Sequence, residues 1–272
     1  HIYPRGAVVL HMLRQIIGDK NFKNYQKNFL NDFRFGNPKT SDLIRAVNEA
    51  TSSDYNWFFD QWVLSAGHPQ VQIETQWSNS EYSVFINQIQ TGRQTPYIYE
   101  IPTEITFHYQ NRVETKSIYI DERKNIYKFS LKEEPKFIRL DPNYDLLIDI
   151  DQQFSLDALL IQLKRDNVIG RMEAAKDLVV YVRNPKVMKR LKRNSIYDKS
   201  WFVRQACLES LSNVLTFKEW QVAYQVEKHS QPRKTIVTQV SNEYPEMAAE
   251  FIRRNLENDN SYIVQAEMVK QL

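Results

Sequence analysis

The sequence predicts a multidomain α plus β chain in three parts: a helical lobe over residues 1–66, an antiparallel β-sandwich over 67–150, and a helical-repeat domain over 151–272. Three observations predict it. Apolar residues recur every three to four positions at the start, alternate at every second position from Val71 to Ile138, and return to helical spacing within a repeated motif near the end. With 272 residues the chain can bury a substantial core in two or three domains.

In the first part Val8, Leu10, Leu13, Ile16 and Ile17 form an apolar helix that Gly18-Asp19 ends, and Phe22, Tyr25, Phe29 and Phe33 line a second. Gly36-Asn37-Pro38 breaks this pattern. Thr40 or Ser41 is the expected N-cap of a helix carrying Leu43, Ile44, Val47 and Ala50, and Ser53 or Asp54 that of the aromatic run Trp57 to Trp62. Trp57 and Trp62 are expected in the core, because aromatic residues at helical spacing usually pack inward. Gly67-His68-Pro69 closes the lobe.

Val71, Ile73 and Thr75 then alternate with polar residues, as do Tyr82 to Ile86 and Ile105 to Tyr109. At least six short strands fit before Ile138, a sandwich of roughly eighty residues. Leu140-Asp141-Pro142-Asn143 marks its exit.

Beyond residue 151 the segment Asp166 to Leu178 resembles Asp198 to Leu211, about thirty-two residues later, and Asp259 to Gln265 echoes it at about twice that distance. An acidic helix cap, an apolar turn, a small inward residue and a leucine on the same face recur. This spacing suits helix-pair repeats of the HEAT type with one degenerate copy between.

Composition narrows the function classes. The apolar share of 42 % and charged share of 25 % suit a soluble globular chain, no apolar run approaches the ~20 residues of a membrane helix, and no secretory leader pattern is present. A net charge of +3 is too small to imply nucleic acid or a membrane surface. Cys207 is the single cysteine, so no internal disulfide forms; with no histidine near it in sequence it reads as a packed helix residue rather than a nucleophile. Lys186, Lys189, Arg190, Lys192 and Arg193 form the one basic cluster, with 186, 189, 190 and 193 on a shared helix face. A solvated face is the favoured reading over nucleic-acid binding, and a cleft face attracting a peptide's terminal carboxylate is a third. His11, on an apolar helix, is expected to be a hydrogen-bonded core residue.

The opening run Tyr3-Pro4-Arg5-Gly6-Ala7 carries the most functional information. It resembles the catalytic-tyrosine segment, Tyr-x-Lys/Arg-Gly-Ala, of the gluzincin zinc aminopeptidases, the family of aminopeptidase N and leukotriene A hydrolase. Gly18-Asp19-Lys20-Asn21-Phe22, Phe58-Phe59-Asp60-Gln61-Trp62 and Gly67-His68-Pro69 look like further motifs of that family, in the same order. The order of parts matches as well: the helical end of a thermolysin-like catalytic domain, a β-sandwich, and a helical-repeat domain curving over the active site. Arg5 departs from the commoner lysine and keeps its charge.

The resemblance implies that Tyr3 donates a hydrogen bond to the oxyanion formed when water attacks the first peptide carbonyl. It implies zinc as the cofactor of an intact parent, and peptide substrates. The plain alternative for Tyr3 is a half-buried aromatic at a helix N-terminus, and Arg5 either orients its loop through a carboxylate or is solvated. The zinc motif itself is absent: a His-Glu-x-x-His helix needs two histidines four residues apart, and His1, His11, His68, His108 and His229 offer no such pair. The chain is therefore expected to be the C-terminal portion of a longer enzyme, with residue 1 an imposed boundary. Its partner is then the missing N-terminal zinc-binding domain of the same polypeptide, which also carries the segment that selects the substrate's amino group. Alone it is expected to be inactive. Two other classes compete: a non-catalytic interaction scaffold that keeps the aminopeptidase fold, and a HEAT-type adaptor.

Overall fold

A computed structural model describes residues 2–272; His1 lies outside the described residues. The chain forms two compact units, residues 1–153 and 154–272. Among the described residues it is a mixed chain of many helices and two small sheets.

The first unit opens with α1 (Ile2–Asp32), a helix kinked where Gly18 adopts φ 77°, ψ 158°. Only glycine enters this region without a Cβ penalty, so the predicted stop at Gly18-Asp19 becomes a bend between two helical runs. On the first run Val9, Met12, Leu13 and Ile17 are buried; beyond the bend Phe22 and Tyr25 meet edge to face at 5.1 Å. α2 (Thr40–Thr51) starts one position from the expected cap: Lys39 is the N-cap, and its N–H donates to the Asp42 carboxylate at 2.9 Å. An acidic group in the first turn can satisfy an orphan N–H from inside the helix, so Thr40 and Ser41 are not needed as caps. α3 (Asn56–Phe59) is likewise preceded by Tyr55 rather than Ser53 or Asp54, although the Asp54 carboxylate accepts from Asn56 N–H at 2.8 Å. α3 continues as a π-helical turn, Asp60–Leu64, which places Phe58, Phe59 and Trp62 inward.

Seven strands follow. β1 (Gln70–Ser78), β2 (Glu81–Gln88) and β5 (Lys124–Ser130) pair antiparallel in the order β5-β2-β1, with Ile73 opposite Ile86. β3 (Ile101–His108), β4 (Val113–Ile120) and β6 (Phe137–Leu140) form the second sheet in the order β4-β3-β6. The expectation of a purely antiparallel β region is corrected at one edge: β7 (Asp149–Gln152) adds to β1 in parallel, Val71 opposite Ile150. Its sequence, Asp-Ile-Asp-Gln, has too little apolar alternation to be read as a strand. β2 shows the clearest period of two, with Tyr82, Val84, Ile86 and Gln88 inward. The helices and both sheets contribute to one hydrophobic cluster that includes Leu13, Phe58, Trp62, Val84 and Phe107. At the strand exit Asp141 takes a positive φ of 45° and its carboxylate accepts from Asp145 and Leu146 N–H, so the predicted turn is present.

The second unit is helical: α4 (Leu156–Arg165), α5 (Val168–Asp177), α6 (Pro185–Tyr197), α7 (Trp201–Ser210), α8 (Phe217–Val226), α9 (Ser230–Glu243), α10 (Pro245–Leu256) and α11 (Tyr262–Lys270). α5, α7, α9 and α11 pack in succession, each also against the helix before it. The small residues of the repeat face inward: Ala174, Ala175 and Leu178 on α5 and its exit, Ala206, Cys207 and Leu211 on α7 and its exit.

A polar ladder repeats with the helices. Arg171 donates to both Asp198 oxygens at 2.8 and 2.9 Å, Arg204 to both of Glu227 at 2.7 and 2.6 Å, and Arg233 to both of Asp259 at 2.9 Å. Each acid also accepts a backbone N–H two residues on, from Ser200, His229 and Ser261. Each arginine spends a third donor on a carbonyl just ahead of its own helix, those of Asp166, Asp198 and Lys228. In the fourth position Gln265 donates to Asp259 O at 2.7 Å. The same set of contacts thus recurs at Glu227 to Arg233, between the second and third of the similar segments in the sequence.

Candidate functional site

Tyr3 and Arg5 sit in the first two turns of α1 and do opposite things. Tyr3 is 91 % exposed, so the half-buried aromatic anticipated as its plain alternative is not what the fold makes of it. Arg5 is partly buried and turns inward, where its Nη2 donates to the carbonyls of Gly67 at 2.8 Å and Trp62 at 3.3 Å. Neither reading of Arg5 from sequence anticipated this: the partners are backbone carbonyls at the end of the π-turn, which carry no signature in the sequence. A planar guanidinium can span two such acceptors, whereas an ammonium offers no fixed fork. Arg5 thereby fixes the N-terminal end of α1 to the chain leaving the helical segment.

The π-turn is held on its other side by Gln61, whose Nε2 donates to Glu100 O at 2.8 Å while its Oε1 accepts from Glu100 N–H at 2.9 Å. Gly67 takes φ +75°, and a Cβ there would lie 2.5 Å from Thr95 Oγ1. Glycine is thus required both by conformation and by space. Tyr99, whose ring lies tilted against Trp62 at 5.1 Å, donates its hydroxyl to Ala66 O at 3.3 Å. Arg5, Gln61, Gly67 and Tyr99 together tie the N-terminal end of α1, the π-turn and the start of the β region to one another.

His11 is corrected: its side chain is 44 % exposed, and its Nε2 lies 2.8 Å from Asp145 Oδ1, which also accepts from Gln15 Nε2 at 3.2 Å. It is hydrogen-bonded, as expected, but on the outer edge of an otherwise apolar helix rather than in the core. His68 lies 2.9 Å from Asp149 Oδ2, a contact that draws the Asp149 carboxyl below its ordinary range. His108 is buried and stacked on Phe137 at 4.2 Å. Among the described residues no three His, Cys, Asp or Glu side chains converge so as to hold a metal ion. The side chains described therefore do not form a zinc site. Cys207 is fully buried, and burial pushes its thiol strongly upward, away from nucleophilic character. No helix is long and apolar enough to cross a membrane among the described residues.

Comparison with known proteins bears on this same segment. Residues 1–62 match the model of the Peptidase family M1 domain. The chain is 30 % identical over 80 residues to a probable aminopeptidase 1 of Sulfurisphaera tokodaii, covering 29 % of this chain and 10 % of that protein. It is 33 % identical over 73 residues to the aminopeptidase N of Lactococcus lactis, covering 27 % and 9 %. The matched stretch thus spans about a tenth of the length of these curated relatives. The resemblance read from the Tyr3 segment is supported over that stretch: residues 1–62 are similar to the peptidase domain of family M1 and to the matching stretch of these aminopeptidases. A crystal structure of Legionella pneumophila aminopeptidase A in complex with aspartic acid matches 97 % of this chain and 38 % of that one, with a TM-score of 0.73 at 17 % identity. At that identity the likeness speaks for the fold, and it extends over both compact units.

Proposed function

We propose that this chain acts as part of a zinc-dependent aminopeptidase that removes N-terminal residues from peptides, with Tyr3 as its oxyanion-stabilising group. The observation that carries the reading is the juxtaposition, within a segment matching the M1 peptidase domain, of a 91 % exposed phenol with a backbone anchored through Arg5. A phenol remains protonated at neutral pH and donates one hydrogen bond. Aimed at a carbonyl oxygen that gains negative charge as water attacks, such a donor contributes about 3 kcal/mol to the transition state. Arg5 does not reach the reacting atoms; it positions the turn that carries Tyr3. Zinc would activate the attacking water in the intact enzyme, on residues supplied by an N-terminal zinc-binding domain of the same polypeptide.

In this reading the chain divides functionally at 1–66, 67–150 and 151–272. The two sheets serve as a β-sandwich spacer. The eight helices with their Arg–acid ladder serve as a HEAT-like repeat domain that restricts which peptides reach the site. The chain by itself is inactive. The test is to express the protein with its upstream coding sequence and measure release of N-terminal residues from peptides, with and without a zinc chelator. Release that the chelator abolishes and added zinc restores supports the proposal; no release from any peptide overturns it in favour of a scaffold.

A further inference from the structure

The second unit contains two adjoining open cavities bordered largely by basic residues, whose aliphatic stems together with Leu160 form most of the wall of the smaller one. One, of about 520 Å³, is lined by Lys164 of α4, Arg190 and Arg193 of α6, and Lys199 beyond it, together with the Arg171–Asp198 pair. The other, of about 420 Å³, shares Arg190 and Arg193 and adds Lys186 and Lys189. The charge is uncompensated. Asp198 is the only acid lining either cavity, and it is already engaged by both arms of Arg171, by Asn194 Nδ2 and by Ser200 N–H.

The fold does not need these bases. α6 is held by Val187 and Leu191, both buried, by the Asn184 side chain at its N-terminus, and by Lys192, which pairs with Glu219 of α8. Lys192 is the cation that packing has matched with an anion. Lys186 and Arg190, and Lys189 and Arg193, are instead like charges one turn apart, an arrangement that weakens a helix. Like-charged side chains around a concave surface raise the local concentration of counter-ions of the opposite sign.

We propose that this double cavity binds a small molecule carrying two or more phosphate groups. A single carboxylate is satisfied by one guanidinium fork, whereas here six bases border two adjoining spaces, and the two arginines line both. The forks of Arg190 and Arg193 match the geometry of phosphate oxygens, and the lysines supply mobile point charges around them. The volume suits a small ligand rather than a single inorganic ion. This inference rests on the second unit alone and stands or falls independently of the peptidase reading.

Inorganic tripolyphosphate is the probe, titrated calorimetrically into the whole chain at near-physiological salt. The proposal predicts saturable binding at one site per chain, weakened about 100-fold by Arg190→Gln with Arg193→Gln, since each lost charge-assisted contact is worth about tenfold or more. Lys116→Glu, on the exposed edge of β4 in the first unit, should leave the affinity within about twofold. Helical circular dichroism confirms that the double variant is folded; if it is not, the milder Arg193→Gln alone should still weaken binding about tenfold. Three results would overturn the proposal: no saturable binding, equal losses in the Lys116→Glu control, or tighter binding of an oligonucleotide or an acidic peptide at matched charge.

Discussion

Arg204→Met tests the ladder that orders the helical unit. Arg204 holds Glu227 through two bonds of 2.6 and 2.7 Å, and the two side chains are 15 % and 3 % exposed. Glu227 also accepts from His229 N–H at 2.7 Å. Burial alone would raise the Glu227 carboxyl, but the bonds from Arg204 and His229 prevail and hold it below the ordinary carboxylate range. Removing the arginine strands a buried carboxylate with only backbone partners, which costs about 3–5 kcal/mol, a large share of the total stability of a domain. Adding Glu227→Gln removes the stranded charge, so the double variant should recover about 2 kcal/mol relative to the summed single effects. Recovery is incomplete because Arg204 Nη1 also donates to Asp198 O at 2.8 Å, a bond both variants lose. The assay is urea unfolding of the whole chain followed by helical circular dichroism. The sign with pH is also fixed: a depressed carboxyl lends stability that is present above its unfolded value and lost as pH falls through the folded one, so wild type should lose this increment in acid and Arg204→Met should not. A single-variant cost below about 1 kcal/mol, or strict additivity in the double, would refute the ladder as a source of stability.

Other positions give independent checks. Asp141 is 5 % exposed, and burial pushes its carboxyl up to about 6 from 3.8. Its contribution is therefore present in full below pH 3.8 and lost as pH rises through about 6, roughly 3 kcal/mol across that window, and Asp141→Asn should flatten the corresponding decline in melting temperature. Gly67→Ala forces a Cβ into a positive φ and to within 2.5 Å of Thr95 Oγ1, and should cost about 1–3 kcal/mol in urea unfolding; a cost near zero would mean that the turn at Gly67 is not rigid. Cys207 should resist thiol reagents in the native chain and react at once in urea, because it is buried and its thiol is pushed upward.

Where a fold feature depends on local periodicity, it was legible in the sequence. The interruption at Gly18, read as a helix end and found as a bend, the inward face of β2 and the small residues of α5 and α7 follow from spacing and from glycine's conformational range. Features made between distant residues were not. Asp145 lies 134 positions from His11, so a polar residue on an apolar helix looked internal when it is paired at the surface. Arg5 binds carbonyls, which every residue carries. The recurrence of these contacts at Glu227 to Arg233 was hidden by glutamate in place of aspartate and by Pro232. The spacing of five or six residues from acid to arginine, seen in Asp166/Arg171 and Asp198/Arg204, could have revealed it. The Tyr3 segment was recognisable because its residues are contiguous, and its anchoring was visible only in three dimensions.

The most direct test of the central claim is the turnover number of the protein, expressed with its upstream sequence, as wild type and as Tyr3→Phe. Because Tyr3 is 91 % exposed, the substitution should leave the melting temperature unchanged. The account predicts a fall in kcat of about 10²–10³ with KM little altered, as expected for a donor that acts in the transition state. An unchanged kcat in a folded, zinc-loaded variant would contradict it and leave the phenol without a catalytic part.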